Sequence, residues 1–210
     1  MPSESPNLPR KTPVHSRSRA TVEAILEAAA HLLEHDGYGR LTTNHIADKA
    51  GVSIGSLYQY FPNKDAICHA LAERHFQLLR EEYLSALDHS VALPVETQVR
   101  RLVATSLHIV RGRSTFSAQL YAELEQFGGL APLLACRQGI AEVLAERIAM
   151  LPAAMRPTNP HMVASIVTTA ASQLIGEAAV NNPEWLEDSE YEEQICQLIL
   201  GYYQRLGLTH

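Results

Sequence analysis

The stretch Leu41-Thr-Thr-Asn-His-Ile-Ala-Asp-Lys-Ala-Gly-Val-Ser-Ile-Gly-Ser-Leu-Tyr-Gln-Tyr-Phe-Pro-Asn-Lys-Asp65 decides the fold of this chain. Thr43 opens a short helical segment, Asn44 to Ala50, which Gly51 stops, and Ser53 is placed to N-cap a second segment, Ile54 to Phe61. Pro62 ends that segment, because the residue before a proline avoids the α region. Asn63 then caps a further helix running from Lys64 to about Ala86. Helix, glycine-containing turn, helix is the helix-turn-helix arrangement, whose second helix enters the major groove of DNA.

Which faces are filled sharpens that reading. At about 100° per residue, Leu57 and Phe61 share one face with Ile54 on its flank, while Gly55, Ser56 and Gln59 point the other way. Small residues at 55 and 56 admit a close surface, and Gln59 has the side chain that pairs bidentately with adenine. Tyr58 and Tyr60 flank this side with hydroxyls suited to phosphates. Lys64 adds a cation at a helix N-terminus, and Thr43 offers a hydroxyl at the start of the first short helix.

Working outward, Val22, Ile25, Leu26, Ala29, Leu32 and Leu33 recur at spacings of three and four from Ala20 until Gly37, predicting one amphipathic helix. Residues 1–19 carry Arg10, Lys11, Arg17 and Arg19 among Pro and Ser against Glu4 alone, the pattern of a disordered basic arm. Downstream, glycines and prolines divide the chain into segments of helical length: Val95–Arg111, Thr115–Phe127, Pro132–Met150, Pro160–Asn181 and Glu190–Leu206. Strand-like alternation is absent, so the expectation is an all-α protein of about nine helices.

Composition fits that picture. The chain has 210 residues, 46% of them hydrophobic and 19% charged, with a formal charge of −6. That acidity argues at first against nucleic acid, but it is unevenly placed. Residues 1–80 hold nine Lys/Arg and eight Asp/Glu, for +1; residues 81–210 hold eight and fifteen, for −7. Cys68, Cys136 and Cys196 lack C-x-x-C spacing, indicating neither a disulfide framework nor a zinc cage. Short apolar runs and a Pro-rich N-terminus with no apolar core predict no membrane span or signal peptide, hence a cytoplasmic protein. No P-loop, dinucleotide fingerprint or G-x-S-x-G occurs, so no cofactor is expected. His31-Leu-Leu-Glu-His35 matches the H-x-x-E-H spelling of inverted zinc peptidases, but on a short helix ending at Gly37 it lacks a third ligand and a cleft. No metal site is predicted.

In the C-terminal part, the segment Pro160–Asn181 carries Val163, Ile166, Val167, Ala170 and Leu174 on a wide apolar face, and Glu190–Leu206 carries Ile195, Leu198, Ile199 and Tyr202 at the same period. Two such helices from each of two copies form a four-helix bundle, or both are core helices of one chain; the residues alone leave this open. Phe76, Phe116, Tyr121 and Phe127 among many Leu and Ala suit a partly apolar pocket, for which His108, Gln119, Tyr121, Glu125 and Gln173 are the candidate polar groups. Trp185, following Pro183, is expected to anchor its loop.

The stretch Leu41–Asp65, with Ala20–Gly37 before it, resembles the DNA-binding head of the TetR/AcrR family of bacterial transcriptional regulators. The resemblance covers about 55 to 60 residues; past about Ala86 it rests on length and helical pattern. It implies that Thr43, Ser53, Ser56, Tyr58, Tyr60 and Lys64 contact backbone or bases, with Gly55 and Gln59 at variable base-reading positions. Asn44 and His45 depart from the charged residue often found there in relatives. It further implies a head over residues 20–66 and an effector-binding and dimerisation domain over 67–210. The last two helices would form the dimer interface. The function implied is a homodimeric repressor on a pseudo-palindromic double-stranded DNA operator, released by a small-molecule effector. A helical small-molecule-binding adaptor without DNA binding is the rival.

Overall fold

The computed structural model describes residues 16–90, 92–112 and 114–208. The described residues form nine α-helices and no strand: α1 (Ser16–Asp36), α2 (Thr43–Ala50), α3 (Ile54–Tyr60), α4 (Lys64–Asp88), α5 (Val95–Arg111), α6 (Ser114–Glu123), α7 (Leu130–Ala149), α8 (Pro160–Asn181) and α9 (Ser189–Arg205). Short 3-10 turns cover Tyr38–Arg40 and Pro183–Glu187. By internal contacts the chain divides into two units. One joins the described part of residues 1–75 to Thr115–Leu133; the other joins Phe76–Ser114 to the described part of 134–210.

In the first unit α1 packs on α2, and α2 on α3. Ile25, Leu33, Ile46, Leu57 and Phe61 are buried there, each fully buried large apolar side chain contributing about 1.5–3 kcal/mol of transfer free energy. Helix α1 starts at Ser16, so residues 16–19 of the expected arm are helical; Arg10 and Lys11 lie outside the described residues. Helix α6 stops at Glu123, short of the expected Phe127. Phe127 turns inward instead and is fully buried, in a turn where Gly128 has φ 76° and Gly129 N–H donates to Leu124 O at 2.8 Å. A β-carbon at Gly129 would fall 2.5 Å from the Phe127 ring and 2.7 Å from Leu124, so only glycine closes this turn without displacing the ring. Helix α7 begins at Leu130, two residues before Pro132, because a proline in the first turn lacks an N–H that would have no intrahelical partner there anyway.

In the second unit α5 packs on α8 and α9. Val99, Val103, Leu107, Val163, Val167, Ile175, Ile195 and Ile199 are buried within it. Polar ties close the layer: Arg100 is paired with Glu193, Arg111 donates to Leu186 O and reaches Glu192 at 3.3 Å, and Tyr191 OH donates to Leu174 O at 2.8 Å. The loop before α9 is anchored by Leu186, 1% exposed, and not by Trp185, which is 44% exposed with its ring 5.4 Å from that of Tyr191. Leucine is wholly apolar and fits the core beside α5, whereas the larger indole stays half outside. Helix α8 is long and apolar enough to cross a membrane, the one such helix among the described residues, with a mean hydropathy of 1.3. A reading of unbroken apolar runs passes over it because its apolar character is spread among alanines and threonines.

Candidate nucleic-acid interface

Each short helix of the head is delimited by its own side chains. Thr42 Oγ1 accepts from His45 N–H at 3.2 Å and caps α2, while Gly51, at φ 66°, ends it in the left-handed conformation. Ser53 caps α3 by accepting from Ser56 N–H at 3.0 Å; Phe61 is extended ahead of Pro62; and Asn63 Oδ1 accepts from Ala66 N–H at 2.8 Å at the head of α4. Leu57 and Phe61, both buried, pin α3 by one side and leave Ser53, Gly55, Tyr58 and Gln59 exposed on the other. Ile54 departs from its expected place on the core flank. At the first position of α3 it is 38% exposed, and it adds an apolar side chain, suited to a thymine methyl, to the outward rim.

Two expected contact residues from different helices meet: Thr43 Oγ1 and Tyr58 OH are 3.1 Å apart. Each hydroxyl holds the other while keeping capacity for an outside partner. Ser53 and Ser56 Oγ likewise pair at 2.8 Å. A β-carbon on Gly55 would meet only Ser53 Oγ, at 3.9 Å, so nothing inside the protein requires glycine there. A bare backbone at this exposed position permits close approach by another surface.

Lys64 is held more firmly than a surface lysine. Its Nζ donates to Tyr38 O at 3.1 Å and lies 4.0 Å from the centre of the Tyr38 ring. Tyr38 OH donates to Asp65 Oδ1 at 2.6 Å, and burial, with that carboxylate, raises the tyrosine hydroxyl above its ordinary value. Reading the sequence passed over Tyr38. Its position after Gly37, an aromatic inside a turn otherwise made of small and polar residues, was the available signal.

The expected pocket residues fall in both units. Gln119 on α6 lies against Gly37, its Oε1 3.7 Å from where a β-carbon there would sit. The Tyr121 ring stands edge-on to His75 at 6.1 Å, and Glu125 is exposed in the turn after α6. In the other unit, exposed His108 lines a groove of about 660 Å³ between α4 and α5 with Glu82, His89 and Arg101, and Gln173 is exposed on α8. The expected dimer residues also divide. Val163, Val167, Ile195 and Ile199 are at most 7% exposed and belong to the core of their own chain, because α8 and α9 pack there against α5. Ile166 and Leu198, 46% and 54% exposed, remain outward, with Ala170, Leu174 and Tyr202 at their margins.

His31 and His35, both exposed on α1, stack at 4.1 Å, and no group of three or more His, Cys, Asp or Glu among the described residues is placed to hold a metal ion. The three cysteines are buried, and burial pushes the thiols of Cys68, Cys136 and Cys196 up to about 12, 11 and 11. Thiols so placed are protonated at neutral pH and make poor redox sensors.

A capped pair of short helices, with the second pinned by its apolar side and bare or polar outward, defines a helix-turn-helix DNA-binding regulator. Residues 25–71 match the family described as bacterial regulatory proteins, tetR family, and residues 94–202 match the tetracyclin repressor-like C-terminal domain. The chain belongs to the TetR family, whose members are DNA-binding transcriptional regulators and not enzymes. Among similar proteins is the uncharacterised HTH-type transcriptional regulator YvkB of Bacillus subtilis (strain 168), 42% identical over 57 residues, 27% of this chain and 30% of that one. Another is the nucleoid occlusion factor SlmA of Actinobacillus pleuropneumoniae serotype 5b (strain L20), 39% identical over 72 residues, 34% of each chain. The chain thus spans about a third of the length of these relatives. The crystal structure of a TetR-family transcriptional regulator from Streptomyces coelicolor superposes with a TM-score of 0.64 at 24% identity, over 89% of this chain and 99% of that one, a likeness of fold.

Proposed function

We propose that this regulator is a homodimeric repressor whose two heads read the half-sites of a pseudo-palindromic operator and let go when a small molecule binds the C-terminal domain. The observation that carries the DNA reading is the outward side of α3, where Gly55 has no internal reason to be glycine and Gln59 is free to meet a base edge. Thr43, Ser53, Ser56, Tyr58, Tyr60 and Lys64 position the head on phosphates, while Gly55 and Gln59 lie at the bases. Ile166 and Leu198 support the dimer: two outward apolar residues on the last two helices suit a second copy. Release by an effector is supported by residues 115–133. They fall inside the stretch matching the C-terminal domain, yet they pack in the same unit as the DNA-binding head. A ligand that shifts them acts on the head directly, and operator and ligand then oppose each other. The effector is a partly apolar small molecule, and the protein works where the chromosome is, in the cytoplasm.

The test is selection of a preferred site from random double-stranded DNA, followed by footprinting on that site. The expected result is two protected half-sites about one helical turn apart, lost on Tyr58→Phe combined with Gln59→Ala. Failure to select any sequence overturns the reading and leaves the adaptor; one protected half-site overturns the homodimer on a pseudo-palindrome.

A further inference from the structure

We propose that Tyr38 is a positioning residue for the Lys64 phosphate contact and that Phe127, in the turn after α6, holds Tyr38 in place. The inference rests on the reading of Lys64 as a phosphate contact. A lysine ammonium ends a flexible four-carbon stem, and ordering that stem on DNA costs conformational entropy unless it is already held. Here it is held. The Tyr38 carbonyl takes one Nζ donor at 3.1 Å, the Tyr38 ring lies 4.0 Å away, and the remaining donors are left for an anion.

Tyr38 is 8% exposed and fixed at both ends of its side chain. Its hydroxyl donates to Asp65 Oδ1 at 2.6 Å, and its ring packs on Phe127 at 5.8 Å with a 41° tilt. Phe127 is fully buried in the turn that Gly129 closes. The contacts therefore run Phe127 to Tyr38 to Lys64, within one unit of the structure. A change in the turn after α6 withdraws the support of the ring that positions the ammonium, with no displacement of α3 needed.

The test uses the full chain on its selected DNA site, with affinity measured across a range of salt concentrations and folding followed by far-UV circular dichroism. Lys64→Met is expected to lower affinity about tenfold per head, as loss of a charge-assisted hydrogen bond does, and to reduce the salt slope by about 0.9 per lost phosphate contact. Tyr38→Leu and Phe127→Leu are expected to give part of both losses in the wild-type background and no further loss once Lys64→Met is present. Tyr38→Phe keeps the ring and the carbonyl and retains the slope. Phe127→Met, whose unbranched side chain adapts more readily to an irregular space, replaces Phe127→Leu if the latter does not fold. Equal losses from Tyr38→Leu and Phe127→Leu with and without Lys64→Met overturn the proposal, as does an unchanged slope in both while Lys64→Met lowers it. An unchanged slope for Lys64→Met itself refutes the phosphate contact, and the proposal falls with it.

Discussion

Helices α3 and α8 both present, in sequence, a side that invites a partner, and the structure treats them in opposite ways. In α3 the buried side is narrow, Leu57 with Phe61 just beyond, and of the expected outward residues Gly55 and Gln59 are exposed while Ser56 is half-buried against Ser53. In α8 the apolar residues extend around most of the helix, and Val163, Val167 and Ile175 turn into their own chain, leaving Met162 and Ile166 outside. A short helix with one apolar stripe has a single way to pack, whereas a helix apolar nearly all round has several, and its neighbours choose among them.

The contrast makes opposite demands on mutation. The largest effect is expected from Ile166→Asp with Leu198→Asp, which leaves the core intact but charges the outward side. Sedimentation should show a monomer, and operator affinity should fall by about 10²–10⁴ as the two heads lose their linkage. Next, Ile175→Ala, at 3% exposure, should cost about 2–5 kcal/mol in denaturant unfolding. Ile166→Ala should change protomer stability by only about 0.5 kcal/mol, since an exposed site leaves no cavity. On α3 the sign reverses. Gly55→Ala should raise stability by up to about 1 kcal/mol through helix propensity, because its β-carbon meets only Ser53 Oγ at 3.9 Å, while specific DNA binding weakens.

The smallest effect lies where α9 meets α5. Hydrogen bonds from Arg100 and Gln197 hold the Glu193 carboxyl down at about 2. A carboxylate depressed in the folded state stabilises above its ordinary range near 4.5, and the contribution is lost as pH falls from there toward about 2. Glu193→Gln should therefore show a slightly flatter melting temperature across that window, and still less difference at high salt, because the pair is solvent-exposed.

Much of the head was legible before any coordinates. Gly51, Ser53, Pro62 and Asn63 mark boundaries through their own backbone preferences, which act within three or four residues and need no tertiary partner. Phe127 shows where that stops. Helical periodicity carried α6 through it, but burial in the core beside Tyr38 bends the chain after Glu123. The five polar pocket candidates shared only residue type: Gln119, Tyr121 and Glu125 fall in one unit, His108 and Gln173 in the other.

By itself, the sequence determined the helix-turn-helix, its boundaries at Gly51, Ser53, Pro62 and Asn63, and the exposed positions Gly55 and Gln59, because each follows from local rules of backbone and period. Only the tertiary structure decided that Lys64 rests on Tyr38, that Tyr38 rests on Phe127 eighty-nine positions further on, and which side of α8 is left outside. Those are contacts between distant segments, fixed by which apolar surfaces pack together first and best.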